Sequence, residues 1–186
     1  MSLLNDPPFP LGQTLGVDST VTSPAWVGAI KEFPDVDPTT GKVRSNRRKV
    51  CIAVRNSSGV ALLPKRLVSF KSGSFTEVDG YAASDTAAAA GVVDEWIPSS
   101  GVSASDVFWI TVQGPTEVKL GPASQAAADA TLQTLTAAAS TSSTTAGQAQ
   151  TATTGATANL ANYIGRAISA ATTGQNVLAV VNLVRS

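Results

Sequence analysis

Residues 162–186 read NYIGRAISAATTGQNVLAVVNLVRS, and this ending decides the fold class. Two runs of strand-forming residues, YIGRAIS and NVLAVVNLV, flank the small-residue turn AATTGQ, the pattern of a β-hairpin. Only Arg166 and Arg185 are charged within it. Both faces of the second run are apolar, so each is expected to be covered. The ending is built for pairing and packing, with almost nothing on it to do chemistry.

Upstream, the same period-2 signal recurs. In VCIAVRN, from residue 50, Val50, Ile52 and Val54 fall on one face and Cys51, Ala53 and Arg55 on the other. After the turn NSSG, ALLPKRLVSF offers a less regular strand that Pro64 assigns to an edge. In VFWITVQGPTEVKL, residues 107–120, Val107, Trp109 and Thr111 alternate with Phe108, Ile110 and Val112. The proline of QGPT predicts a reversal there. Short strands separated by turns predict a mainly β chain, a small β-barrel or sandwich.

Two segments break the pattern. Residues 1–45 hold six of the ten prolines and only short apolar pieces. Proline removes backbone donors, so this part predicts an extended N-terminal arm laid over a surface, anchored by Phe9, Leu11 and Trp26, with the β-rich body at 46–186. Residues 134–159 contain only Ala, Ser, Thr, Gly and Gln apart from Leu135 and Asn159, a low-complexity insertion read as extended or mobile chain. Just before it, PASQAAADATLQTL (122–135) predicts a short helix, with proline in the first turn and alanine as helix former.

Net charge is zero, yet the charges are sorted. Residues 42–71 carry nine bases and no acid, and residues 77–129 carry eight acids and one base. Sorting of this kind predicts either complementary patches that orient subunits or two solvated faces of one barrel. The one cysteine, Cys51, sits in an apolar run and reads as a small core residue. No basic-then-apolar N-terminus predicts a signal peptide, and the apolar run 177–184 is too short to span a bilayer.

The side chains that usually carry catalysis are scarce. There is no histidine, and one cysteine does not make a structural zinc site. No phosphate-binding loop, dinucleotide fingerprint or nucleophile elbow occurs, so no cofactor, metal or enzymatic activity is expected. DVDPTTG (35–41) begins like a phosphatase or calcium loop, but Pro34 precedes Asp35 and the twelfth loop position is Asn46; it reads as a solvated turn. Asp94 and Glu95 are sequence neighbours whose side chains diverge on a strand, and they read as solvent-facing acids. SNRRKV (45–50) is the one dense basic cluster, suited to phosphate or to an acidic protein surface.

The C-terminal residues QAQTATTGATANLANYIGRAISAATTGQNVLAVVNL carry a resemblance. A Thr/Ala/Gly-rich lead, then Tyr163, Ile164, Gly165, Ala167 and Ala170, then a small-residue turn and the apolar residues 177–183, is similar to the closing portion of tailed-bacteriophage head decoration (cement) proteins. That resemblance implies a structural virion protein on the capsid exterior, made in the host cytoplasm. It would be a homotrimer whose partner is the major capsid protein, with no membrane and no nucleic acid. Phe9, Leu11, Trp26, Arg44, Arg47 and Arg48 are then the expected capsid-binding residues. The alternative is a β-barrel binding module for nucleic acid or glycan, using the basic region or Trp26, Trp96 and Trp109. An arm of this kind implies that deleting residues 1–40 leaves a folded body with weakened shell attachment.

Overall fold

The computed structural model describes residues 9–16, 26–81, 89–122, 125–134, 146–151 and 163–183. Among them are ten strands: β1 (Ile30–Val36), β2 (Val43–Asn56), β3 (Leu67–Phe70), β4 (Glu77–Tyr81), β5 (Ala89–Val93), β6 (Val107–Lys119), β7 (Thr131–Thr134), β8 (Ala149–Thr151), β9 (Tyr163–Ala167) and β10 (Asn176–Asn182). The mainly β expectation is met. The strands form one sheet in the order β1-β2-β4-β3-β5-β6-β10-β9-β7-β8, and β2 also pairs with β6. That extra pairing closes β2, β4, β3, β5 and β6 into a ring. The remaining strands curl back as well. A parallel bridge joins Leu120, just past β6, to Ala149 in β8, and the Gly121 amide donates to the Ala149 carbonyl at 2.9 Å. β6 is thus the shared member of two rings.

One face of β6 feeds two cores and the other face a third. Phe108, Ile110 and Val112 point into the first ring with Val54, Val68 and Val78, as the alternation predicts. Val118 and Leu120 enter the second ring with Val177, Ala179, Val181, Ile164 and Leu132. Val107 and Trp109 lie on the opposite face with Cys51 and Ala53, and there Phe9 and Leu11 cover them. Phe9 stacks on Trp109 at 5.1 Å between ring centroids, Phe33 meets the same indole edge-on, and the indole N–H donates to the Phe9 carbonyl at 3.1 Å. Such ring pairs add about 1 kcal/mol each beyond the area they bury.

Three sequence expectations change here. QGPT is no reversal: β6 runs straight through it, because Phe108, Ile110, Val112, Gly114, Thr116, Val118 and Leu120 stay buried in unbroken alternation. Gly114, at φ +102°, marks where β2 gives way to β10 as partner; a Cβ there would lie 2.5 Å from the Arg48 carbonyl oxygen. Pro64 is not in a strand but in a turn with Lys65 ahead of β3. The helix expected over 122–135 does not form in its described residues: Ala126 bridges to Ala171, and Thr131–Thr134 is β7. Two leucines give a helix little to pack, whereas Leu132 in a strand is fully buried in the second ring.

The strand region also starts before residue 50. β1 lies inside the proline-rich part and pairs with β2 from Ile30↔Ile52 to Val36↔Val43. As the outermost strand of the sheet it tolerates Pro34, whose missing N–H coincides with a bulge. Residues 9–16 lie on the chain's own body, where Leu15 and Val107 exchange backbone hydrogen bonds. Within the low-complexity tract, Ala146, Gln148 and Ala149 are buried; its other residues apart from 134, 147, 150 and 151 lie outside the described ones.

The closing hairpin is as expected, with β10 against β9 through Ala179↔Ala167, Val180↔Arg166 and Val181↔Gly165. Only one face of β10 is fully covered: Val177, Ala179 and Val181 are buried, while Leu178 and Val180 stay partly open.

Candidate functional site

Where the β1–β2 ribbon runs past the first ring, its inner side chains form a charged cluster. Asp35 and Lys49 are each 1% exposed and Glu95 is 5% exposed, with Arg44 closing the group. The Arg44 guanidinium donates to Asp35 (Nη2–Oδ1 2.6 Å) and, through Nη1 and Nη2, to both Glu95 oxygens at 2.6 and 2.8 Å. Lys49 Nζ sits 2.6 Å from Glu95 Oε1 and 3.7 Å from Asp35 Oδ1. The Ser45 hydroxyl donates to Asp35 and the Glu117 amide to Glu95, and Trp96 offers its ring face to both cations. Two acids and two bases cancel, which lets full charges stay buried. Burial pushes the Asp35 and Glu95 carboxyls up, but the hydrogen bonds and charges of Arg44, with Lys49, outweigh it and hold both below the usual carboxylate range.

This corrects two sequence readings. Glu95 is not a solvent-facing acid, and neither is Asp94, which is 1% exposed. Of the two acids in the DVDPTTG turn, Asp37 faces solvent, accepting from the Thr39 amide and the Thr40 hydroxyl, whereas Asp35 turns inward. The charge sorting has the same explanation. Lys49 meets Glu95, Lys65 meets Glu117 and Lys71 meets Glu77, so the basic and acidic segments pair within the chain.

Asp94 holds the arm. It accepts the Gly12 amide and, at 3.2 Å, the Trp96 amide, while the Thr14 hydroxyl donates to Asp106. Burial pushes the Asp94 carboxyl up to about 6; the Gly12 and Trp96 amides and Lys49 oppose the shift, and nearby Glu95 adds to it. Between its ordinary value of 3.8 and about 6 this carboxyl is therefore more protonated in the folded chain than in the unfolded one, so its contribution to stability falls as pH rises through that window. Between pH 5 and 7.5 the expected loss is on the order of 1 kcal/mol, or a few degrees in Tm. Asp94→Asn keeps an acceptor for Gly12 and is expected to flatten this slope in thermal melts. An unchanged slope would assign it to another group. Cys51, beside the Thr111 hydroxyl, is buried and its thiol is pushed up to about 12, so it is a core residue as expected and not a nucleophile.

Next to the cluster lies an open trough. A cavity of about 630 Å³ runs between the ribbon, at Arg44 and Arg47, and the second ring, at Tyr163 and Arg166, over Leu178 and Val180. It adjoins a second of about 510 Å³, lined by Arg47, Arg48, Pro115 and Val180 among others. Ile168, 45% exposed, stands on the rim of the first.

The six expected binding residues separate. Phe9 and Leu11 are buried on the chain's own body, each 5% exposed. Trp26 is half-buried in the turn before β1. Arg44 is committed to the ion cluster, while Arg47 and Arg48 are exposed on β2 and line the trough. Of the tryptophans considered as glycan platforms, Trp109 is fully buried. Sequence reasoning missed Leu178, Val180 and Arg166 as a surface; the apolar second face of β10 was the signal for it.

No family model and no curated protein sequence matches the chain. Among solved structures it is similar to the N base of the head fiber gp8.5 of bacteriophage phi29, with 17% identity and a TM-score of 0.44 over 74% of this chain and 98% of that one.

Proposed function

We propose that this chain is a structural virion protein that binds the outer surface of an assembled phage capsid and stabilises contacts between capsomers. It acts as a homotrimer with the major capsid protein as partner. The observation that carries this reading is the closing hairpin: its inner face seals the second ring, and its outer face leaves Leu178, Val180 and Ile168 open beside arginines. Apolar side chains next to guanidinium groups are the composition of protein-docking surfaces. The same hairpin carries the sequence resemblance to decoration proteins. Three copies would raise avidity by about 10²–10⁴ over one contact, so each contact is allowed to be weak.

Co-sedimentation with empty capsids, run beside DNA and glycan binding in moderate salt, tests the proposal. Saturable attachment to capsids without retention on DNA or glycan is the expected result. Retention on DNA or glycan with no capsid attachment would replace it with the binding-module reading.

A further inference from the structure

We propose that the trough between the β1–β2 ribbon and the second ring receives an extended, acidic segment of the shell protein. Its apolar side chains lie on Leu178 and Val180, and its carboxylates meet Arg47 and Arg166. The assignment of the segment to the shell depends on the function proposed above; the chemistry of the trough does not.

Shape comes first. The two cavities share Arg47, Pro115, Val180 and Asn182, so they form one elongated channel. Leu178 and Val180 are two residues apart on one strand and face the same way, about 7 Å apart along it. An extended chain has the same spacing between alternate side chains, which a helix or a compact ligand does not.

Charge comes second. The buried cluster commits Arg44 and Asp35 to each other and to Glu95 and Lys49. Among the described residues, Arg47 makes no ion pair with a carboxylate, and Arg166 donates through Nε and Nη2 to the Asp129 carbonyl oxygen alone. Outside the cluster two acids line the channel, Asp129 and Glu32, and the exposed Arg48–Glu32 pair, at 3.3 Å, is weak enough to exchange. Guanidinium groups on both walls over an apolar floor complement carboxylates alternating with apolar side chains. The apolar floor contributes nothing to holding a phosphate backbone.

The test uses the full chain and a short fluorescein-labelled peptide of alternating Glu and Leu, with Gln/Leu and Lys/Leu peptides as controls, followed by anisotropy in low salt. The Glu/Leu peptide is expected to bind and the controls not. Arg47→Ala and Arg166→Ala are each expected to weaken it about fivefold, the pair about 30-fold, and Val180→Asp to abolish it. Arg47 is exposed, so its variant keeps the proposal testable even if Val180→Asp fails to fold. Equal binding of Glu/Leu and Gln/Leu peptides, or indifference to both arginines, overturns the proposal. So does a single-stranded oligonucleotide that displaces the peptide and depends on the same arginines. Capsid co-sedimentation separates the two readings. If the wild type attaches and the Arg47→Ala/Arg166→Ala protein attaches equally, the trough does not face the shell, although the function stands. If the wild type does not attach while the arginine-dependent peptide binding persists, the function fails and the trough's chemistry is upheld.

Discussion

Glu95→Gln is expected to lower stability by about 3–5 kcal/mol, a fall of roughly 10–15 °C in Tm. The substitution changes shape little but removes the charge that both Arg44 and Lys49 address, leaving two cations to share Asp35. Lys49, 1% exposed, cannot move into water without opening the ribbon. The cost is therefore that of an uncompensated buried charge, much larger than the net worth of an intact pair. Glu95→Gln combined with Lys49→Met restores charge balance and is expected to recover at least half of the loss. Additive losses in that double mutant, measured by denaturant unfolding, would mean that the two residues are not coupled and that the cluster is incidental. The pH dependence follows the same logic: Asp35 and Glu95 titrate below their ordinary values of 3.8 and 4.5, so their contribution is present above those values and is lost as pH falls through them.

Most of the sheet is legible in the sequence because period-2 alternation survives wherever one face is buried. Val50, Ile52 and Val54, the two faces of residues 107–112, and the closing hairpin all take the roles their alternation predicts. The failures have a common source. Gly114 and Pro115 look like a reversal, yet the alternation of buried residues crosses them intact from Phe108 to Leu120, and that continuity outranks the turn residues. Pro34 argues against a ladder in the first 45 residues, but an edge strand has an outer side where a missing N–H costs nothing. The ion cluster is invisible in the sequence because its members are separated by up to 60 positions, and only the fold brings Asp35 to Glu95. Charged residues are assigned to solvent by default, and nothing local marks the exceptions. The trough is half legible: an apolar second face on β10 predicts a cover, but not the arginines beside it.

The structure also reverses what deleting residues 1–40 is expected to do. As a loose arm, that segment would be dispensable for folding. In the structure it supplies Phe9 and Leu11 over Trp109 and Cys51, the whole of β1 against β2, and Asp35 in the ion cluster. Losing Phe9 alone removes a buried aromatic, about 3–4 kcal/mol. Unpairing β2 and leaving Arg44 and Lys49 with one acid adds a comparable amount, and the total reaches the whole stability of a typical domain, about 5–15 kcal/mol. The truncated chain is therefore expected to be unfolded or aggregated at room temperature, with red-shifted tryptophan emission as Trp109 meets water. A chain beginning at residue 26 retains β1 and Asp35, and is expected to fold with a lowered Tm. Cooperative melting and native-like tryptophan emission in the chain that lacks residues 1–40 would show that the ribbon and its ion cluster are appended to the body; their loss there, with retention in the chain beginning at residue 26, would place both inside the fold's cooperative unit.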